Sequence, residues 1–410
     1  MRHLTRAAKW VHLARFTVNR SGGVAFPLTW LPFRLKMMRY EKLTVLAGRT
    51  FIKATDPILE SAAYHTAADG LARIRRGEHR LLNLCISPTL RCPMNCFYCY
   101  ARNHPPTEEL STSRLVSLIH EAQELGAFSI HYSGGEPLLR RDLSELIAAT
   151  DERSNSLVMT SGFKFPETSR KLKEAGLETV VVSLDTFDEA AYNARRGHAN
   201  AYGIAMEAVR ASLRDGFYTA LGMLPDASMV ESEAFDGYVR AAGRLGVHEI
   251  RVSAPRPCVA LGRDRARLLT PAQVDNFRRF QKRFNAMTDL PTIVSMDWVE
   301  YPENRGCSAG TVYCHVAPSG EVTPCTMSPI SFGNVRERPL AEVYANMRRY
   351  IPYPPPRCPL PGIYRLIRDI PNDQIPVRNP KTVEQIYRKL NAAPQPLPAF
   401  WKSLGMRKNA

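Results

Sequence analysis

Cys92, Cys96 and Cys99 stand in the run RCPMNCFYCYA with the spacing C-x3-C-x2-C. Three thiolates this close can hold three corners of a cubane iron–sulfur cluster and leave the fourth iron without a protein ligand. An open iron can bind a molecule and activate it, whereas electron-transfer clusters are normally closed by four cysteines. The spacing differs from the C-x2-C pairs of zinc ribbons and fingers. A structural zinc site or a set of buried thiols is the plainer alternative. Phe97, Tyr98 and Tyr100 crowd the motif and suit a cluster shielded from water.

Ser133-Gly134-Gly135-Glu136-Pro137 follows the next strand-like run. Two glycines let the backbone approach a ligand closely. A carboxylate with backbone carbonyls beside it can receive an ammonium group, although the same residues also make an ordinary turn. Ser183-Leu184-Asp185 ends a later strand-like run, and Thr160-Ser161 ends the one between. These polar residues either face a common cavity or cap strand ends.

Taken together, C-x3-C-x2-C before an aromatic, then GGEP, then SLD resembles the radical S-adenosylmethionine (radical SAM) superfamily. The resemblance implies that Cys92, Cys96 and Cys99 ligate a 4Fe-4S cluster whose open iron chelates SAM. Reductive cleavage of SAM would give a 5′-deoxyadenosyl radical that removes a substrate hydrogen. It further implies that Gly134, Gly135, Glu136 and Pro137 hold the methionine end of SAM, and that Ser183 and Asp185 face its ribose. Gly222 and Met223 match the adenine region. Arg195-Arg196-Gly197 is similar to an RRG stretch that either contacts a carboxylate or forms a solvated basic helix end.

A second group comprises Cys307, Cys314, Cys325 and Cys358. In GCSAGTVYCHVAPSGEVTPC, Gly320 allows a turn that returns Cys325 beside Cys307. This resembles the opening of the SPASM/twitch extension, which carries auxiliary iron–sulfur clusters, so the resemblance spans about residues 82–358. A full extension has more cysteines, so one auxiliary 4Fe-4S cluster is the most this chain can hold. Either Cys314 completes a four-thiolate site or one iron stays open; zinc is the other reading. Cys85 and Cys258 read as buried thiols. His104 and His131 lie near the site by sequence, and neither is assigned a catalytic role.

The elements that must position these residues alternate strand and helix. Strand-like runs begin LLNLCIS, AFSIHYS, SLVMTS, LETVVVS, FYTALGM and HEIRVS, with amphipathic helices between them. Six such alternations imply parallel strands with helices outside, and barrels of this type carry their sites at the C-terminal strand ends. The expected fold is α/β: a partial (β/α)6 barrel with a small cysteine-bearing α+β extension. The expected divisions are 1–80, a basic amphipathic arm; 81–262, the core barrel; 263–365, a linking helix and iron–sulfur domain; and 366–410, a peripheral proline-rich tail.

The chain has 410 residues and a formal charge of +16. Residues 1–50 carry ten Lys/Arg against Glu41 alone, with Leu4, Ala7, Ala8, Val11, Ala14 and Val18 at helical spacing. Such a segment either meets an anionic membrane surface or a lipid-like partner, or packs on the catalytic domain. No apolar run is long enough to span a membrane, no secretory signal is evident, and the cysteines suit a reducing compartment. The expected location is cytoplasmic or peripheral at the inner membrane face. No nucleic-acid module is present.

The reading is a radical SAM enzyme of oxidoreductase type, served by a flavodoxin or ferredoxin as electron donor, acting on a peptide, protein or small molecule. A lipid or membrane-associated substrate is the rival reading. A non-catalytic iron–sulfur or zinc redox protein is the alternative of another class.

Overall fold

Six short runs rich in β-branched and apolar residues form adjacent parallel strands. They are β1 (Asn83–Ile86), β2 (Ser129–Tyr132), β3 (Asn155–Thr160), β4 (Thr179–Ser183), β5 (Tyr218–Met223) and β6 (Glu249–Val252). They pair in sequence order, β1 to β6. The computed structural model describes residues 2–5, 7–10, 38, 40–231, 233–258, 268–393 and 395–407.

The sheet continues past both expected edges. β7 (Thr292–Ser295) lies parallel to β6, and β8 (Tyr313–Val316) lies parallel to β1. β9 (Val322–Thr323) closes a hairpin with β8. The sheet therefore crosses the division expected at residue 262, and the cysteine-bearing extension shares backbone hydrogen bonds with the core.

Strand alternation sorts the side chains onto two faces. Leu84, Ile86, Ile130, Tyr132, Val158, Val180, Val182, Leu221, Ile250 and Val252 join the core beneath the helices. The first of those helices, α1 (Thr112–Glu124), buries Leu115, Leu118, Ile119 and Ala122 at the i, i+3, i+4, i+7 spacing. Ser111 caps its start, accepting from the Arg114 N–H at 3.2 Å, and Gly126 follows its end with φ 101°.

The opposite strand face is covered by the N-terminal region. Strands Thr44–Leu46 and Arg49–Phe51 form a hairpin, joined by Arg2–His3. Phe51, Ala54 and Ile58 then pack on Leu157, Val181, Tyr218 and Ala220, with the Phe51 and Tyr218 rings stacked at 4.5 Å. The Glu249 carboxylate accepts from the Ala54 N–H at 2.7 Å and pairs with Arg251 at 2.9 Å. Of the basic segment at the N-terminus, Leu4 and Trp10 pack with Met38, Leu43, Ile52 and Leu59. Lys9 is buried and donates to the carbonyls of Met38 and Glu41 at 2.7 and 2.8 Å. The rest of that segment, residues 11–37, lies outside the described residues.

The tail is not peripheral. Helix Pro380–Leu390 buries Val383, Ile386 and Tyr387, and Tyr387 meets Phe332 edge-on at 5.5 Å. Phe400 and Trp401 are buried, and the indole of Trp401 donates to the Arg305 carbonyl at 2.7 Å. The proline content masked these apolar anchors. Among the described residues no helix is long and apolar enough to cross a membrane.

Candidate functional site

The loop after β1 carries Cys92, Cys96 and Cys99, and GGEP follows β2 at the same end of the sheet. Arg140 braces the cysteine loop at both ends. It donates to the carbonyls of Pro88 (3.1 Å) and Leu110 (2.9 Å), and Asp142 holds it through two bonds of 2.8 and 2.9 Å. That pairing with Arg140 draws the Asp142 carboxyl down to about 2.

GGEP runs alongside the start of this loop. The N–H groups of Gly135 and Glu136 donate to the carbonyls of Thr89 (2.9 Å) and Arg91 (2.7 Å). A Cβ on Gly134 would sit 2.8 Å from both Ser87 Cβ and the Thr89 oxygen, and one on Gly135 would strike the Arg91 carbonyl. The two glycines thus let two backbone segments touch, which the sequence does not reveal.

Glu136 also departs from expectation. Its carboxylate is fully buried and turned toward β3. Oε1 accepts from the Thr160 hydroxyl at 2.7 Å and the Leu138 N–H at 3.3 Å. Oε2 accepts from the Ser161 N–H at 2.8 Å and the Ser161 hydroxyl at 2.5 Å. Burial pushes its pKa up, opposed by those hydrogen bonds. The side chain ties GGEP to the end of β3. Thr160 and Ser161 serve the same tie. Pro137 starts a short 3-10 turn, Pro137–Leu139.

Ser183 shares the strand face of Val181 and stands in register with Gly222. Asp185 is otherwise engaged. Its carboxylate accepts from the Tyr98 hydroxyl (2.5 Å), the Leu224 N–H (2.9 Å) and Arg196 (3.0 Å). A buried carboxylate so occupied anchors the cysteine loop to the end of β4.

Cys92 is exposed, Cys96 buried and Cys99 intermediate, and Cys92 feels the charges of Glu136, Cys96 and Cys99. Tyr100 shares a hydrogen bond with Ser133 Oγ at 2.7 Å and accepts from the Gly134 N–H at 2.9 Å. The aromatics expected to exclude water are therefore also hydrogen-bonded struts. Arg196 is not a solvated helix end: it is buried and points at Cys96. His131 is buried against Ser129 and His104 against His315, and burial draws their pKa values down to about 3 and about 4.

The second group divides. Cys307 donates to Cys358; that bond and burial push the Cys307 thiol up, while it lowers Cys358, helped by Arg256. Cys325 joins them, its thiol pushed up to about 12 by burial and the charge of Cys358. The Cys307 N–H donates to the Pro355 carbonyl at 2.8 Å. Cys314 stands apart. Strand alternation turns it to the helix-covered face with Val316, where it is fully buried in the core, while its neighbour Tyr313 faces Cys325. It cannot complete the set without reversing β8. Arg256, paired with Asp297 and at 3.0 Å with Glu300, adds a cation beside these thiols that sequence reasoning missed.

Among the described residues no group of three or more such side chains closes on a single metal ion. A cubane spreads its thiolates over separate irons rather than closing them on one.

Residues 86–229 match the radical SAM superfamily, and residues 307–358 match the SPASM iron–sulfur cluster-binding domain. A PqqA peptide cyclase from Xanthomonas euvesicatoria is 27% identical over 288 residues, covering 66% of this chain and 76% of the relative. A probable GTP 3′,8-cyclase from Archaeoglobus fulgidus is 39% identical over 111 residues, 27% of this chain and 38% of its own. The crystal structure of Streptococcus suis SuiB bound to precursor peptide SuiA superposes with a TM-score of 0.54 at 14% identity, covering 68% of each chain. That likeness concerns the fold.

Proposed function

Starting from this chain's membership of the radical SAM superfamily, with a SPASM extension, we propose that it modifies a peptide or protein substrate. One observation carries the reading: the curated peptide cyclase matches across 66% of this chain, whereas the nucleotide cyclase matches across 27%. Substrate class follows the larger shared frame.

Cys92, Cys96 and Cys99 would hold the SAM-binding 4Fe-4S cluster, and Cys307, Cys325 and Cys358 the auxiliary one. The bound cluster and SAM supply hydrogen-atom abstraction; the protein supplies placement and a dry site. Backbone carbonyls at Ser133–Gly135 would receive the amino group of methionine. Ser183 and Gly222, in register on β4 and β5, would face the nucleoside end of SAM. Tyr98 and Tyr100 fix the cysteine loop against the ends of β4 and β2, which would hold the cluster's thiolates in place. A flavodoxin or ferredoxin would deliver the electron.

The test is substrate-dependent formation of 5′-deoxyadenosine by the anaerobically reconstituted enzyme with SAM and dithionite. Short peptides, nucleoside triphosphates and anionic lipid vesicles are supplied in turn. Peptide-dependent turnover with a mass change in the peptide is expected. Stimulation by vesicles or nucleotides with none from peptides would replace this reading.

A further inference from the structure

Helix Glu189–Arg196 ends against the cysteine loop, and its last residue is buried to 6% exposure. The Arg196 carbonyl accepts from the Asn95 N–H at 2.7 Å. Gly197 follows with φ 59°, and a Cβ there would lie 2.8 Å from the Asn95 oxygen. Helix end and loop are therefore locked backbone to backbone, one residue from Cys96.

The guanidinium is fixed just as firmly. Nη2 donates to Asp185 at 3.0 Å, and Nη1 lies 3.7 Å from Cys96 Sγ, within the longer range of sulfur acceptors. The ring centres of Tyr192 and Tyr98 stand 5.0 and 5.4 Å from Cζ. Two aromatic faces, one carboxylate and one sulfur leave this cation no alternative rotamer without stranding a buried charge. Its two terminal nitrogens are taken by Asp185 and Cys96.

Hydrogen bonds and charge at a cluster's sulfurs set its reduction potential. A cation beside a thiolate ligand favours the reduced cluster, which carries one more negative charge. We infer that Arg196 is a positioning residue that raises the reduction potential of the SAM-binding cluster through its N–H···S contact with Cys96, and that Asp185 moderates that effect. This rests on Cys96 being a cluster ligand. The reducing electron comes from the donor, and no bond is made or broken at Arg196.

The experiment is an EPR-monitored redox titration of the full-length reconstituted protein, following the signal that changes on adding SAM. The SAM response separates it from the auxiliary cluster. Arg196→Met should lose at least tenfold in the reduction equilibrium, about 59 mV for a one-electron couple. Arg196→Lys should restore most of the loss. Asp185→Asn, which removes the counter-charge, should shift the potential the other way. An Arg196→Met protein with parental iron content and a potential within threefold of the parent overturns the inference. Should that variant fail to load iron, Asp185→Asn decides: an unchanged or lower potential overturns it. A parent protein with no SAM-responsive signal would instead sink the family reading, a distinguishable result.

Discussion

Replacing Glu136 tests whether its carboxylate serves the fold or the ligand. Glu136→Ala strands the Thr160 hydroxyl and the Ser161 N–H, which donate to it at 2.7 and 2.8 Å, with Glu136 and Thr160 buried and Ser161 half-buried. Each unsatisfied buried donor costs about 1–3 kcal/mol. With the space left by the side chain, the loss should reach about 3–6 kcal/mol. Glu136→Gln keeps one acceptor oxygen but sets an amide N–H against the Ser161 N–H, costing about 1–3 kcal/mol. Urea denaturation of the anaerobic protein, read by circular dichroism, gives both numbers, and equilibrium SAM binding is measured on the reconstituted forms. The order parent, Gln, Ala in stability is expected, with SAM affinity falling only as the fold loosens. An Ala variant within about 1 kcal/mol of the parent that still loses SAM binding would refute the argument. Glu136 would then face the ligand.

Cys307→Ala should remove one cluster's share of iron and its Mössbauer signal, whereas Cys314→Ala should keep both clusters and show only a packing loss; equal iron loss would put Cys314 back among the ligands. Asp142 adds an acid-linked term. Its pKa falls from 3.8 in the unfolded chain to about 2, so its contribution is complete above the first value and lost as pH drops through the second. The stability gap between parent and Asp142→Asn should therefore shrink between those two values, as followed by thermal melts; a constant gap would exclude the linkage. Trp401→Ala should cost about 3–5 kcal/mol and should raise proteolytic sensitivity near Cys307, since Pro398 packs on Gly306. Unchanged digestion there would uncouple the tail from the auxiliary site.

Spacing alone exposed what depends on local pattern. The six parallel strands followed from short apolar runs between amphipathic helices, and the cysteine loop, GGEP and SLD lie at their C-terminal ends. What escaped depends on which way a side chain turns or what it meets across the fold. Cys314 sits two residues before Val316, and only the register of β8 with β1 shows that both face the helices. Glu136 and Asp185 belong to motifs that suggest ligand contact, yet their partners come from β3 and from the cysteine loop, many residues away. Arg196 reads as one basic residue among several until Cys96 is seen beside it. β7 was hidden because TIVS is four residues long in a segment read as a linker, and the tail because prolines outweighed Phe400 and Trp401 in the composition.

The pairing of β8 with β1 has a consequence for how this molecule can be divided. β1 leads straight into the cysteine loop, and its outer edge is hydrogen-bonded along its length by a strand from the extension. A core cut before residue 300 would present that edge bare, beside the cysteine loop. Exposed edges recruit other strands. The extension thus works as a seal as well as a cofactor carrier, and a shortened form should self-associate before it can be assayed.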